Sequence, residues 1–242
     1  MLSEPGVLTI ATSKPSYPPF FADNDPTNGR GFESAVAYAV AEGLGFAPEE
    51  VNWVYATPEK TLSSKPKKFD FAIGQYVRTL TRSLDVSFSE PYYLMREAVV
   101  TLPSSPAASV TSASDLQKLK LAAASASTSL AYVTQVIQPK DEPLAYDDIA
   151  SAKSALEAGE VDAIIVDLPT AYSITMNDIP KAKIAGELPL IEGSDRLGLV
   201  FEKGDPLTAC VDEVLADLAD SGRLQALEDE WLAGDVVPEL GD

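Results

Sequence analysis

Nothing limits the fold of this chain more than its rhythm of short apolar runs. Runs at residues 7–11, 51–55, 70–73, 98–102, 119–124, 161–166 and 197–201 are near-continuous in apolar and aromatic residues, and stretches with helical spacing separate most of them. Strands apolar on both faces need cover on both faces, so the pattern predicts an α/β protein with parallel sheets flanked by helices. The punctuation agrees. Pro15, Pro18 and Pro19 stop the first strand, and Gly43 and Gly45 close the stripe of Phe32, Val36, Val40 and Leu44. Gly159 ends a helix at 149–158, Pro169 opens the next, and Gly222 parts the stripe of Val211, Val214, Leu215 and Leu218 from that of Leu224, Leu227 and Trp231. Trp53 reads as core, and a second helix is expected after it despite the polar, proline-broken residues 61–68. Residues 103–114, rich in Ser, Ala and Pro, read as a crossing or surface segment, and 125–129 as a small-residue loop opening a helix that runs to about 138.

Composition excludes several functions. The chain has no histidine, which rules out Ser-His-Asp and Cys-His chemistry and histidine-ligated metals. Its one cysteine, Cys210, rules out an intrachain disulfide, and its spacing with Ala209, Val211 and Val214 predicts a buried apolar role. No metal and no cofactor is expected. A net charge of −19 repels phosphate backbones and anionic membranes, so no nucleic-acid partner is expected. No apolar run approaches the ~20 residues that span a bilayer. Residues 1–5 lack the basic start and apolar centre of a secretion signal, so an exported protein is expected to have lost its leader, with Met1 an added start.

Chemistry concentrates in Gly74-Gln75-Tyr76-Val77-Arg78-Thr79-Leu80-Thr81-Arg82. The stretch leaves an apolar strand, Thr79 can cap a helix, and Arg82 then falls in the first helical turn. Amide N–H groups and the helix dipole converge on negative charge at such a mouth, and a guanidinium fork matches a carboxylate there. An intrahelical pair between Arg82 and Asp85 accounts for the same residues. A second segment echoes the first: in both 68–75 and 160–167 an Asp opens a buried strand, and five residues later a polar residue, Gln75 or Asp167, emerges at its carboxyl end. A carboxylate from one half and an arginine from the other form a clamp for a zwitterion. Asp167 can equally cap the helix after Pro169.

Together these motifs resemble the bacterial extracellular solute-binding proteins of family 3, the amino-acid receptors of ABC importers. The likeness rests on Leu8-Thr9-Ile10-Ala11-Thr12 with Tyr17-Pro18-Pro19-Phe20, on Gly31-Phe32-Glu33, and on Thr79-Leu80-Thr81-Arg82 followed by Phe88-Ser89-Glu90-Pro91-Tyr92-Tyr93. It continues through Gly159-Glu160-Val161-Asp162-Ala163 with Asp167-Leu168-Pro169, Gly198-Leu199-Val200-Phe201 with Lys203-Gly204-Asp205-Pro206-Leu207, and the ending from Asp220 through Trp231. The resemblance implies two α/β lobes in the periplasmic-binding-protein fold, joined by two crossing strands that form the hinge. Residues 1–98 and 198–242 then make lobe 1, and 99–197 an inserted lobe 2. It implies that Arg82 binds a ligand carboxylate and Asp167 its ammonium. Gln75, Val77, Ser127 and Thr128 then supply further polar groups, and Tyr17 lines the side-chain pocket. The family's Gly-Thr is replaced here by Ala126-Ser127.

Lys14 and Lys60 match positions that contact ligand side chains in the family. With Arg78 nearby, an acidic amino acid such as glutamate or aspartate is expected, and glutamine next. The implied partners are a free amino acid and the membrane permease of an ABC transporter, with the protein itself monomeric. The implied place is the periplasm or cell exterior, with a full-length form that is either free or lipid-anchored. A non-enzyme is expected; the alternatives are a dehydratase on the same scaffold and a ligand-sensing module.

Overall fold

The structure, a computed structural model, describes residues 2–125, 127–191, 194–232 and 237–241. Its strands are β1 (Leu8–Thr12), β2 (Val51–Tyr55), β3 (Phe71–Ala72), β4 (Ser87–Leu94), β5 (Glu97–Thr101), β6 (Leu121–Ala124), β7 (Leu144–Tyr146), β8 (Ala163–Asp167), β9 (Lys183–Glu187) and β10 (Arg196–Phe201). Its helices are α1 (Phe32–Gly43), α2 (Pro58–Thr61), α3 (Arg82–Asp85), α4 (Thr128–Tyr132), α5 (Ile149–Ala158), α6 (Leu168–Ser173), α7 (Leu207–Asp220) and α8 (Arg223–Trp231). The chain divides into two compact units, Met1–Leu94 with Arg196–Gly234, and Met95–Asp195 with Asp235–Asp242.

Each unit has its own five-stranded sheet, ordered β2-β1-β3-β10-β4 in the first and β7-β6-β8-β5-β9 in the second. The α/β class is as expected, but the sheets are mixed and not parallel. In the first, β1 runs parallel to β2 and β3 while β10 is antiparallel to β3 and β4. In the second, β6 runs parallel to β7 and β8 while β5 is antiparallel to β8 and β9. Every residue of β5 is buried, and all of β10 after Arg196. An antiparallel strand covered on both faces carries the same unbroken apolar run as a parallel one, so the run reports burial and not direction.

The echo between 68–75 and 160–167 has a physical basis. The Asp70 carboxylate accepts the backbone N–H groups of Ser3 and Thr9, each at 2.6 Å, and Asp162 Oδ2 accepts that of Lys120 at 2.8 Å. In each unit an aspartate just before a central strand thus ties down the start of its parallel neighbour, β1 or β6.

Other expectations are corrected by packing. Residues 103–114 are largely at the surface, as expected, but Ala107 is fully buried and Val110 nearly so, which anchors the segment in the core of the second unit with Val99, Leu116 and Ile165. Cys210 is exposed, because the inward face of α7 is set by Val211, Leu215 and Leu218, and the preceding position falls about 100° away. The helix expected after β2 is the single turn α2, its N-terminus held by the Thr57 hydroxyl. β4 was not legible as a strand because it contains Pro91; it is an edge strand, and its register with β10 shifts beside that residue. Gly43 lets α1 approach α7, since a Cβ there would collide with a methyl of Val214. The described tail, 237–241, departs from the expected lobe 1 assignment of 198–242. Glu187 N–H donates to Pro238 O at 2.9 Å, Leu240 N–H to Glu187 O at 2.8 Å and Ala113 N–H to Gly241 O at 2.8 Å, which places the tail along β9.

Candidate functional site

In the first unit the chain turns sharply after β3, and Gln75 takes a φ of +57°, a left-handed conformation unfavourable for a residue with a Cβ. The turn is held from α1. Glu33, fully buried in the first turn of that helix, accepts the Gln75 N–H on Oε1 at 2.6 Å and the Tyr92 hydroxyl on the same oxygen at 2.5 Å. Its Oε2 is buried with no hydrogen-bond partner among the described residues. Burial pushes the Glu33 carboxyl up to about 7, against the opposing effect of those two hydrogen bonds. The Tyr92 phenol is pushed well above its usual range by burial and then by the Glu33 charge.

Arg82 opens α3. Its N–H donates to Thr79 Oγ1 at 3.2 Å and Ser83 N–H donates to Thr79 O at 2.9 Å, so Thr79 caps this turn as its sequence position indicates. A one-turn helix has almost no macrodipole, and the charge offered at this mouth is therefore that of Arg82 itself. The half-buried guanidinium donates through Nη1 to Val77 O at 2.8 Å. Among the described residues it forms no ion pair with Asp85, and the rest of its fork is unengaged.

The remaining candidates of this unit are more exposed. Lys14 lies with Nζ 3.8 Å over the Tyr55 ring, a cation–π contact. Tyr17 is 56% exposed, in a loop with cis peptides at Lys14–Pro15 and Pro18–Pro19. Lys60 is exposed on α2, and Arg78 pairs with Glu90 at 3.5 Å. The structure therefore gathers Gln75, Val77 and Arg82 into one turn, while no hydrogen bond or ion pair among the described residues joins Tyr17 or Lys60 to it. A cleft of about 530 Å³ between α1 and α8, lined by Tyr38, Phe46, Leu227 and Trp231, contains none of these residues.

In the second unit the parallel strands β6 and β8 end on the same edge of the sheet. Asp167 ends β8 and caps α6, accepting the Thr170 N–H on Oδ1 at 2.9 Å and the Thr170 hydroxyl on Oδ2 at 2.8 Å. Ser127 caps α4 by accepting the Leu130 N–H at 3.0 Å, and its own hydroxyl donates to Ala124 O at 2.6 Å. The Thr128 hydroxyl donates to Asp195 Oδ2 at 3.3 Å. Ala126, half of the altered Gly-Thr pair, lies outside the described residues.

A residue that sequence reasoning missed stands among them. Glu97 opens β5 directly opposite Asp167 in the antiparallel ladder, is only 9% exposed, and has a buried Oε2 without a hydrogen-bond partner among the described residues. Burial foremost, then the like charges of Asp167 and Asp195, push its carboxyl up to about 7, against the hydroxyls of Ser129 and Thr128. The available signals were an acid inside the apolar stripe of α1 for Glu33 and an acid at the head of an apolar run for Glu97. An acid at a strand end is as often solvated, so the second signal is weak. Among the described residues no group of three or more acidic or cysteine side chains is placed to hold a metal ion.

Two α/β lobes that present polar and charged groups at the carboxyl ends of their strands are the architecture of two-lobed solute-binding proteins. The chain belongs to the bacterial extracellular solute-binding proteins, family 3, whose sequence profile matches residues 8–234. It is 26% identical over 237 residues to the L-cystine-binding protein TcyJ of Escherichia coli K12, covering 98% of this chain and 86% of that one. It is also 26% identical over 233 residues to the arginine-binding periplasmic protein of Mannheimia haemolytica, covering 93% of this chain and 91% of that one. Among solved structures it is similar to an ancestral cationic amino-acid solute-binding protein, with a TM-score of 0.64 and 26% identity over 94% of this chain and 96% of that one.

Proposed function

We propose that the chain is the substrate-binding component of an ABC importer and takes up a free polar amino acid outside the cytoplasmic membrane. Arg82 receives the α-carboxylate in one lobe, and Asp167 receives the α-ammonium in the other. The observation that carries this reading is the half-used fork of Arg82, a charged, half-buried donor that among the described residues only Val77 O engages. The relatives named for cystine and arginine binding support an amino-acid ligand. The exposure of Lys14 and Lys60 weighs against glutamate or aspartate, since a solvated ammonium discriminates weakly. In this reading the protein works as a monomer, delivers its ligand to a membrane permease, and catalyses nothing. Ligand shifts the lobes toward closure by contacts that exist only in the closed form. Calorimetric titration with the common amino acids and cystine tests the reading: one or more must bind, and Arg82→Ala must abolish or greatly weaken that binding.

One observation favours an enzyme instead. Glu97 is a buried carboxyl held near a pKa of about 7, the property of a general acid. Incubation with prephenate or arogenate decides between the two, because a binding protein returns them unchanged.

A further inference from the structure

We infer that Glu97 selects for a ligand with a second cationic nitrogen, so that the solute is an amino acid carrying a guanidinium, a side-chain ammonium or a second α-ammonium. This rests on the amino-acid-binding reading and names the ligand class within it.

The argument begins with a local conflict. Directly opposed residues of an antiparallel pair project from the same face, and like charges there are destabilising. Glu97 and Asp167 are such a pair, and Asp195 adds a third carboxyl, linked to the same corner through the Thr128 hydroxyl at 3.3 Å. Neither Glu97 nor Asp167 forms a salt bridge among the described residues. The cation next in sequence, Arg96, is committed to Glu187 at 3.5 Å and Glu239 at 2.9 Å.

Burial sharpens the conflict. The Asp167 oxygens have internal donors in Thr170, whereas Glu97 Oε2 is buried with no hydrogen-bond partner among the described residues. A buried acceptor beside like charges is costly to retain, and a site keeps such a group when a ligand satisfies it. Burial, and after it the like charges of Asp167 and Asp195, also raise its pKa, so the geometry and the protonation point the same way. The α-ammonium of any amino acid answers Asp167 alone. A second cationic nitrogen answers Glu97, with Asp195 strengthening the field, while a neutral side chain leaves the Glu97 carboxylate without a countercharge. Among the described residues no group of three or more of these carboxyls is placed to hold a metal ion.

The test is calorimetric titration of wild type and Glu97→Gln with arginine, lysine, cystine, citrulline, glutamine and glutamate. Citrulline has the shape of arginine without its charge. At least one of the first three should bind wild type ten times more tightly than citrulline and glutamine, and Glu97→Gln should reduce that preference at least tenfold while leaving glutamine within about threefold. Arginine, lysine and cystine distinguish the three sources of the cation. Circular dichroism reports whether the variant folds, and Asp195→Asn, which should lower the same preference, carries the test if it does not. A wild type that prefers citrulline, glutamine or glutamate, or a preference unchanged in both variants, overturns the role of Glu97 and leaves amino-acid binding intact. A wild type that binds no amino acid overturns both.

Discussion

The backbone N–H of Gln75 donates to Glu33 Oε1 across 2.6 Å, joining the first turn of α1 to the one left-handed residue in the turn after β3. The tertiary contact holds in place a backbone that local propensity disfavours. Arg82 depends on the same turn, since its guanidinium rests on Val77 O two residues further along. The placement of the arginine is thus controlled by a carboxyl on a different helix.

Removal of that carboxyl should loosen the lobe. Glu33→Ala leaves the part-buried Gln75 N–H and the buried Tyr92 hydroxyl without their acceptor, and ~1–3 kcal/mol for each predicts a loss of about 2–6 kcal/mol. Urea denaturation measures it. Glu33→Gln keeps an oxygen acceptor and should lose less. Equal losses in the two variants would show that the acceptor is not what matters.

Stability should fall as pH rises from about 4.5 to 7. Glu33 and Glu97 both have folded pKa values raised from 4.5 to about 7, so the folded chain binds protons more tightly than the unfolded one between those limits. Folding is therefore favoured below the window and loses free energy through it, by up to about 3 kcal/mol per group. Denaturation midpoints at pH 5 and pH 8 check the sign. In Glu33→Gln/Glu97→Gln the dependence over that range should flatten, and an unchanged slope would assign it to other groups.

Asp167 has two separable roles. Asp167→Asn keeps an oxygen for the Thr170 N–H and removes the charge, while Asp167→Ala removes the cap as well and should cost about 1 kcal/mol. If the acid binds an ammonium, both variants lose amino-acid affinity at least tenfold and only the alanine variant loses stability. Wild-type affinity in Asp167→Asn would leave the cap as its whole function.

For Arg82 the fork should matter more than the charge. Arg82→Lys retains a cation and loses the paired donors, and should weaken binding at least tenfold. Arg82→Ala should cost ~2–5 kcal/mol in affinity. Both should melt close to wild type, because among the described residues the side chain makes a single internal hydrogen bond. A large drop in melting temperature would mean that Arg82 supports the fold.

Several features were readable from the residues alone because they are local. Burial of β1, β5, β8 and β10 follows from their apolar runs, and the stop at Gly159 and the Thr79 cap follow from chemistry within a turn. The aspartates that echo at 70 and 162 were visible as a repeat, though not the N–H groups that they hold.

Amino-acid order by itself determined the α/β class, the two-part plan and the family, because hydrophobic spacing and ordered motifs are carried along the chain. Tertiary structure alone decided strand direction, the outward turn of Cys210, the attachment of residues 237–241 along β9, and the hold of Glu33 on Gln75. It also set Glu97 against Asp167, 70 positions apart. Such relationships arise from the distance in space between residues remote in sequence, and burial then fixes the protonation of an acid that composition would count as one more surface charge.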